Sequence, residues 1–253
     1  MRIDIMTLFP ELCDSVLSES IIGRARTAGY VTIACHNIRD YTLDKHDRVD
    51  DAPYGGGMGM VMQAQPIYDC FAAVPRAVEG QKPHLIYLSP QGKTLTQERV
   101  KELATLPQIV LLCGHYEGVD ERVIDEIVDE EISIGDYVLT GGELPACVLT
   151  DAVCRLLPGV LPKADAYEIE SHYGHLLEYP QYTRPPVWRD RTVPEILLSG
   201  DHAKVDRYHL KEALKRTRSR RPDMLADIPL SKAERELLEE VEKEQAESEE
   251  KLP

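Results

Sequence analysis

The sequence predicts an α/β fold, a parallel sheet with helices on both faces, followed by a small all-helical domain. Three observations lead to this prediction. Strand-like and helix-like patterns alternate through residues 1–160. The strand-like segments are continuous apolar runs, which is typical of parallel strands covered on both faces. Beyond about residue 160 the strand pattern stops and helical stretches follow.

The elements of the first part can be assigned in chain order. Apolar runs favour strands, and Pro, Gly or a capping side chain marks where helices begin and end. Thr96 is the expected N-cap of one helix. The predicted strands cover residues 2–9, 30–38, 84–90, 108–114 and 130–135, and the predicted helices begin at Pro10 or cover 20–29, 94–107 and 141–157.

The remainder is predicted to be a linker and three helical stretches. Residues 192–202, 205–220 and 230–245 have helical patterns, and Ser231 with Glu234 forms a capping-box pattern. The linker is expected to order only with a ligand, and the chain end is expected to fray. The predicted division is an α/β domain at 1–160, a flexible linker at 161–176, a helical domain at 177–246 and an acidic tail at 247–253.

Composition excludes several classes of protein. With 253 residues, 43% of them hydrophobic, the chain can form a packed core. No run approaches the length of a membrane span, and the start MRIDIMTLFP lacks the apolar stretch of a signal peptide. The six cysteines include no CxxC pair, which argues against a disulfide framework or a zinc site. We therefore expect a cytoplasmic protein that does not associate with membranes.

The net charge of −15 is unevenly distributed. Residues 115–136 and 231–253 carry most of the negative charge, whereas residues 204–221 hold eight Lys or Arg and two acids. Polyanion binding depends on the local face rather than on the total charge. This basic stretch is therefore as consistent with phosphate binding as with a solvated helix face.

Glycine-bearing loops are the strongest candidates for a ligand site. Residues 88–92, 113–118 and 133–145 each follow a predicted strand, and ligands of open parallel sheets bind outside the carboxyl ends of the strands. A fourth segment, DDAPYGGGMGMVM at residues 50–62, is either a flexible loop or a flat backbone wall for a planar ligand. No GxGxxG or GK[ST] pattern is present, which disfavours an ordinary dinucleotide-binding enzyme.

Two charged residues stay ambiguous on pattern alone. Arg155 lies in an apolar helical stretch, where it could form an i,i+4 ion pair with Asp151 or serve a site. Glu170 lies among other acids in the linker, where it could be a solvated charge.

Several segments together resemble a known family. They are LFPE, RDYTLDKHDRVDDAPYGGGMGMVM, LSPQG, LLCGHYEGVDERV, EEISIGDYVLTGGELPACVLTDAVCRLLPGVL, LLEYPQYTRPPVW and LKRTRSRRPDML. The chain resembles bacterial tRNA (guanine-N1-)-methyltransferases of the SPOUT superfamily from Met1 to about Glu240. The resemblance implies a deep trefoil knot in the α/β domain, an exception to the rule that chains do not thread loops. It also implies a homodimer with composite active sites that methylates N1 of the guanosine immediately 3′ of the anticodon, position 37, in tRNA.

The resemblance implies that the three glycine-bearing loops hold S-adenosyl-methionine, mostly through backbone groups. The matching cofactor residues are Tyr87, Leu88, Ser89, Pro90, Gly114, Tyr116, Glu117, Ile134, Gly135, Asp136, Tyr137, Val138, Leu139, Gly141, Gly142 and Pro145. The residues expected to contact tRNA are Asp50, Gly55, Gly56, Ser171, Lys215, Arg216 and Arg218. No metal ligands are predicted, and any Mg²⁺ is expected to bind through the substrate.

The implied catalytic residues are Glu170 and Arg155. Guanine N1 carries a proton that a carboxylate on the linker can remove as general base. The family has Asp followed by Ser where this chain has Glu170 and Ser171, so the base here sits on a longer side chain. Arg155 matches the arginine that stabilises negative charge developing on the guanine. The alternatives are a SPOUT methyltransferase acting at another RNA position and a non-catalytic RNA-binding protein.

Overall fold

The first strand shows how the sequence builds the central sheet. A computed structural model describes residues 1–163, 167–226 and 228–249. The strands of its central sheet are β1 (Arg2–Thr7), β2 (Thr32–Asn37), β5 (His84–Thr94), β6 (Gln108–Cys113) and β7 (Glu130–Ser133). They have the order β2-β1-β6-β5-β7, and every pairing is parallel. Strand β1 has a neighbour on each side, so that Ile3 lies opposite Ile33 and Ile109.

Helices cover both faces of this sheet, as the apolar strands predict. The helices are α1 (Pro10–Leu17), α2 (Ser20–Thr27), α3 (Ala64–Ala73), α4 (Gln97–Leu103), α5 (Glu121–Ile127) and α6 (Glu143–Cys154). One buried cluster joins the sheet to α1, α2, α4 and α6, and a second joins the opposite face to α3 and α5. The Thr96 hydroxyl accepts a hydrogen bond from the Arg99 amide, which confirms the predicted N-cap of α4.

Strand β5 continues beyond the predicted loop at residues 88–92. Leu88 and Lys93 both pair with Ile132 of β7, so the four residues between them leave the ladder as a bulge. The sequence suggested a strand that ends at this loop. The structure instead has one strand that resumes after an excursion, because β7 offers pairing partners on both sides of it.

The glycine-rich segment lies between two short antiparallel strands, β3 (Asp50–Asp51) and β4 (Val61–Met62). The strand end of this hairpin is bound to the loop after β6. The Met62 amide donates to the Gly118 carbonyl at 2.9 Å, and the Glu117 amide donates to the Met60 carbonyl at 3.0 Å. The hairpin is therefore held beside the carboxyl end of the sheet.

The chain divides into two compact units, Met1–Ala164 and Asp165–Pro253. The second contains a short hairpin, β8 (Val187–Trp188) with β9 (Arg191–Thr192), and two long helices, α7 (His202–Arg220) and α8 (Lys232–Glu249). Leu214 of α7 and Val241 of α8 are buried where these helices pack.

The predicted helix at 192–202 is only a short 3₁₀ turn, Glu195–Leu198. Pro194 precedes it and Gly200 follows it, so only a few residues lie between two helix-breaking positions. The predicted tail from 247 lies partly in α8 and partly outside the described residues. Among the described helices, none has the length and apolar character needed to cross a bilayer.

Candidate functional site

A cavity of about 410 Å³ lies in the first unit, where β5, β6 and β7 end. Its walls come from the β5 bulge, the loop after β6 and the loop between β7 and α6. This is the edge of an open parallel sheet where ligands are expected, and the size is typical of a small-molecule site. Backbone groups of three loops therefore surround one space.

The structure brings together fifteen of the sixteen residues predicted to bind the cofactor. Asp136 is the exception, because it does not line the cavity. The fifteen lining residues are Tyr87, Leu88, Ser89, Pro90, Gly114, Tyr116, Glu117, Ile134, Gly135, Tyr137, Val138, Leu139, Gly141, Gly142 and Pro145.

Close backbone contact fixes two of these loops against each other. The Gly142 amide donates to the Gly114 carbonyl at 2.9 Å. A Cβ added to Gly142 would lie 2.7 Å from the Cα of Cys113, and a main-chain atom cannot yield easily. Only glycine allows the start of α6 to pass so close to the end of β6.

The cavity is acidic. Glu117, Glu121 and Glu131 line it, and the described lining residues include neither Lys nor Arg. Burial, together with the nearby Glu131 and Glu121 charges, raises the pKa of Tyr87 to about 12. Tyr87 therefore stays a neutral hydroxyl at physiological pH. The carboxylates favour a ligand that carries positive charge.

Sequence reasoning missed several lining residues. Glu121 and Glu131 border the predicted loops, but they were counted only as part of an acidic stretch. His115 also lines the cavity, although only its neighbours Gly114, Tyr116 and Glu117 were predicted to bind the cofactor. Proximity to the predicted loops was a signal for all three residues, although it could not tell which side chains point inward.

The residues predicted to surround the guanine do not line the cavity. Asp50 belongs to β3, and Gly55 and Gly56 lie in the hairpin loop that follows. Arg155 is the C-cap residue of α6 and is half-buried, with its amide donating to the Asp151 carbonyl at 3.1 Å. None of these four residues is among the lining residues.

The predicted base lies in the second unit. Glu170 is half-buried in a run of turns, where its carbonyl accepts from the Tyr173 amide at 3.2 Å. Ser171 follows it, and its hydroxyl accepts from the Glu178 amide at 2.9 Å. The hydroxyl of Ser171 therefore helps to shape the segment that carries Glu170.

Lys215, Arg216 and Arg218 were predicted to bind tRNA, and they differ in their exposure and in the groups that already bind their side chains. Lys215 is exposed on α7. Arg216 donates to the Glu178 carbonyl at 3.2 Å, and Arg218 lies 3.2 Å from the Glu242 carboxylate of α8. Lys215 therefore presents its charge to solvent, whereas Arg218 is partly neutralised within the unit.

Comparison with known proteins agrees with these features. A family model described as tRNA (Guanine-1)-methyltransferase TrmD matches residues 1–227. A tRNA (guanine-N(1)-)-methyltransferase of Ruminiclostridium cellulolyticum is 57% identical over 229 residues, covering 90% of this chain and 98% of the relative. Proteins of the same name from Dehalococcoides mccartyi and Chloroflexus aggregans are 52% and 54% identical, and each alignment covers 95% of this chain. The chain therefore belongs to the tRNA (guanine-1)-methyltransferase family.

Proposed function

We propose that this protein transfers a methyl group from S-adenosyl-methionine to N1 of the guanosine at position 37 of tRNA, immediately 3′ of the anticodon. One observation carries the proposal. Fifteen residues that match the cofactor loops of the family line a single cavity in a chain that belongs to that family. Two relatives named tRNA (guanine-N(1)-)-methyltransferase are 57% and 52% identical to this chain, and the alignments cover 90% and 95% of it.

The residues of the cavity suit this cofactor. S-adenosyl-methionine carries a positively charged sulfonium, and the lining provides three carboxylates, Glu117, Glu121 and Glu131. The loops also offer backbone N–H and C=O groups for a polar nucleoside. We further propose that these loops form the deep trefoil knot of SPOUT proteins. The tight passage of Gly142 against Cys113 supports this threading.

S-adenosyl-methionine, when bound in the cavity, would supply an electrophilic methyl group, and breaking its S–CH₃ bond would leave neutral S-adenosylhomocysteine. The Glu170 carboxylate accepts the proton from guanine N1 as the new N–C bond forms, and the guanidinium of Arg155 stabilises the negative charge that develops on the base. A positioned general base contributes roughly 10²–10⁴-fold to the rate.

We propose that the protein acts as a homodimer with composite sites. Helices α1 and α6 pack together and expose apolar residues with i,i+4 spacing, Leu12 with Val16 and Leu144 with Val148. Each of the four is more than 40% exposed in the single chain. A second copy covering this face would bury a continuous apolar surface. The segment with Glu170 then serves the cavity of its partner.

Two groups of residues are proposed to contact tRNA. Exposed cations on α7, such as Lys215, bind its phosphates. Asp50, Gly55 and Gly56 lie beside the target guanine. Any Mg²⁺ is proposed to arrive with RNA phosphate oxygens, which suit this hard cation. A tRNA substrate and six free cysteines fit a reducing cytoplasm.

Methyl transfer from labelled S-adenosyl-methionine tests the function directly. A transcript with guanosine at position 37 should accept the label, and one with adenosine there should not. Glu170→Gln should lower kcat by roughly two to four orders of magnitude and leave tRNA and cofactor affinity within a few-fold. Glu170→Asp should retain substantial activity.

The matched control is Glu168→Gln, at an exposed neighbouring acid. It should have little effect. Loss of activity in Glu168→Gln with normal kcat in Glu170→Gln would assign the base to Glu168 instead. Equal labelling of both transcripts would contradict the proposed target.

A further inference from the structure

Trp188 is the only tryptophan in the chain, and it is exposed on the hairpin of the second unit. It ends strand β8 and is 59% exposed, and its neighbour Val187 is 51% exposed. Tryptophan is highly buried on average, because covering its large ring removes much apolar surface from water. The proposed reaction gives this ring no role, so an exposed indole at this position calls for an explanation.

The hairpin holds its side chains out in solvent. Trp188 pairs with Arg191 across the two strands, next to the turn. The Val193 amide donates to the Pro186 carbonyl at 2.9 Å, which holds the open end of the hairpin together. Every residue from 181 to 192 is exposed. In the single chain, a ligand in solution can therefore reach both strands.

The turn of the hairpin keeps an arginine where glycine or asparagine is favoured. Arg189 and Asp190 both have left-handed backbone, with φ of 48° and 62°. Hairpin turns of this kind favour Asn and Gly, because most other side chains are strained there. The guanidinium carbon of Arg189 lies 5.0 Å from the centroid of the Trp188 ring, in a cation–π contact. Strained positions cluster at functional sites, and here the strain accompanies an arginine and an indole presented together at the tip.

The hairpin is positively charged in a chain whose net charge is −15. Residues 184–192 contain three arginines, Arg184, Arg189 and Arg191, and Asp190 is the one acid among them. Among the described residues, the arginines that form ion pairs with carboxylates lie elsewhere in the chain. The charge of this hairpin therefore favours a polyanion.

We propose that this hairpin binds single-stranded RNA, with the indole of Trp188 stacked on an unpaired nucleobase and the guanidinium groups of Arg189 and Arg191 against the adjacent phosphates. Every nucleobase has a π-face, and unpaired bases stack on aromatic side chains and guanidinium planes. Phosphates are bound by Lys and Arg side chains. The hairpin offers both kinds of group within a few residues.

This inference rests on the proposed function for the identity of the RNA. N1 of guanine lies on the edge that forms Watson–Crick pairs, so its methylation requires an unpaired guanosine. The hairpin and Glu170, the proposed base, belong to the same unit, and that unit therefore meets a single-stranded loop. The target guanosine is assigned to the residues beside Asp50, so the base on Trp188 is another unpaired base of the anticodon loop.

Because the chain has one tryptophan, its fluorescence reports on this hairpin alone. The full-length protein is excited with light that tryptophan absorbs and tyrosine does not. An anticodon stem-loop RNA should quench the emission, and a fully paired RNA of equal length should quench it much less. Replacing each unpaired base in turn by an abasic nucleotide, except at position 37, should abolish quenching at one position. Equal quenching by the paired RNA, or by every abasic RNA, overturns the stacking.

Variants of the hairpin separate a stacked ring from a general apolar contact. Trp188→Leu should weaken filter binding of the stem-loop roughly five- to a hundredfold, because one base loses its stacking partner. Trp188→Phe should retain most of the affinity. Arg191→Gln should weaken the intact and the abasic stem-loops alike, because phosphate contacts carry no sequence information. Leu198→Ala, at a 64% exposed side chain of the same unit, is the control and should bind like the wild type.

Unchanged affinity of Trp188→Leu overturns the proposal, and so does equal weakening by Trp188→Leu and Trp188→Phe. If a second copy of the chain covers the hairpin instead, acrylamide will quench Trp188 poorly before RNA is added, which also overturns it. Circular dichroism shows whether each variant is folded, and the wild-type fluorescence decides if one is not. Wild-type methyl transfer is measured in the same preparation. Normal transfer without fluorescence quenching removes the role of Trp188 alone, whereas absent transfer contradicts the proposed function itself.

Discussion

At the scale of single residues, Asp4 in β1 shows how a buried charge is maintained. Its carboxylate has no exposed surface and accepts hydrogen bonds from Arg2, His36 and Gln108 at 2.6–2.8 Å. Burial raises the pKa of Asp4, but hydrogen bonds from His36, Arg2 and Gln108 outweigh this effect and leave the pKa below its usual value. The folded state therefore prefers the ionised form.

We predict that Asp4→Asn destabilises the protein by about 2–4 kcal/mol at pH 7, because it leaves buried donors without their charged acceptor. Since folding lowers the pKa of Asp4, its stabilising effect is present above about pH 4 and is lost as pH falls through the folded value. Urea unfolding of both proteins at pH 7, 5 and 3 checks this. Asp14→Asn, at an exposed ion pair with Arg26, is the control and should cost under about 1 kcal/mol.

At the scale of elements, the start of α8 confirms the predicted capping box. The Ser231 amide donates to the Glu234 carboxylate at 2.7 Å, and the Glu234 amide donates to the Ser231 hydroxyl at 3.2 Å. His175 also lies 2.7 Å from the Glu234 carboxylate. Through His175, the cap therefore joins α8 to the segment 161–176, which the sequence predicted to be a flexible linker.

Ser231→Ala should destabilise the second unit by about 0.5–2 kcal/mol, the usual cost of losing an N-cap side chain. Glu234→Gln should weaken the same cap and the contact with His175. Denaturant unfolding measured by circular dichroism gives both values. Ser219→Ala, at an exposed position within α7, is the matched substitution and should change stability by under about 0.5 kcal/mol. Equal effects at the two serines would contradict the capping role.

Ion pairs between α7 and α8 change the expectation for tRNA binding. Lys211 pairs with Glu244 at 2.6 Å, and Arg218 lies 3.2 Å from Glu242. We predict that Lys215→Ala weakens all tRNAs alike and reduces the slope of log affinity against log salt by about one. Arg218→Ala should reduce it less, because Glu242 already offsets that charge. Filter binding at salt concentrations from about 50 to about 200 mM measures the slope for each variant and for the wild type.

The elements that the sequence missed share physical causes. Helix α3 begins close after the glycine-rich hairpin, and its N-cap residue Gln63 makes no capping hydrogen bond through its side chain, so its start had no clear signal. Helix α5 is short and acidic, and it was treated as a charged stretch. The β5 bulge depends on pairing with β7, which no local pattern describes. The apolar strands were predicted well because burial on both faces dictates their composition.

The candidate site also contains residues that the sequence predicted and residues that only the structure reveals. The lining glycines and Tyr87 were found through resemblance, since their motifs are contiguous in the chain. Gly141 lies close to both His115 and Glu143, which belong to different segments of the chain, and only the packed structure reveals this.

At the scale of the whole molecule, the proposed dimer predicts complementation. A Glu170→Ala chain lacks the base, and a Gly142→Val chain lacks the cofactor site because the new side chain would meet the backbone of Cys113. Mixed after unfolding and refolding together, the two inactive chains should regain activity, since one site of each heterodimer has both intact parts. Methyl transfer measures the recovery. No recovery in a mixture shown to contain heterodimers would mean that each chain completes its own site.

Val16→Glu should separate the subunits, because it places a charge in the apolar face of α1 and α6. Sedimentation velocity should then give a monomer that still binds the cofactor but transfers methyl groups poorly. The control is Val78→Glu, at an exposed valine outside this face, which should sediment like the wild type.

The bulge in β5 between Leu88 and Lys93 also allows ligand binding to be measured by hydrogen exchange. Residues on both sides of it are hydrogen-bonded to β7, and the residues between them are outside the ladder. Pro90 has no amide and the Gln91 amide donates to the Ser89 hydroxyl at 3.1 Å, so in deuterium labelling the Ser89 and Gly92 amides are the ones expected to exchange faster than the two flanking stretches of the strand. A ligand that occupies the cavity would slow uptake at the centre and leave the flanks as an internal standard. A single proteolytic peptide spanning this strand could therefore follow occupancy without any attached probe.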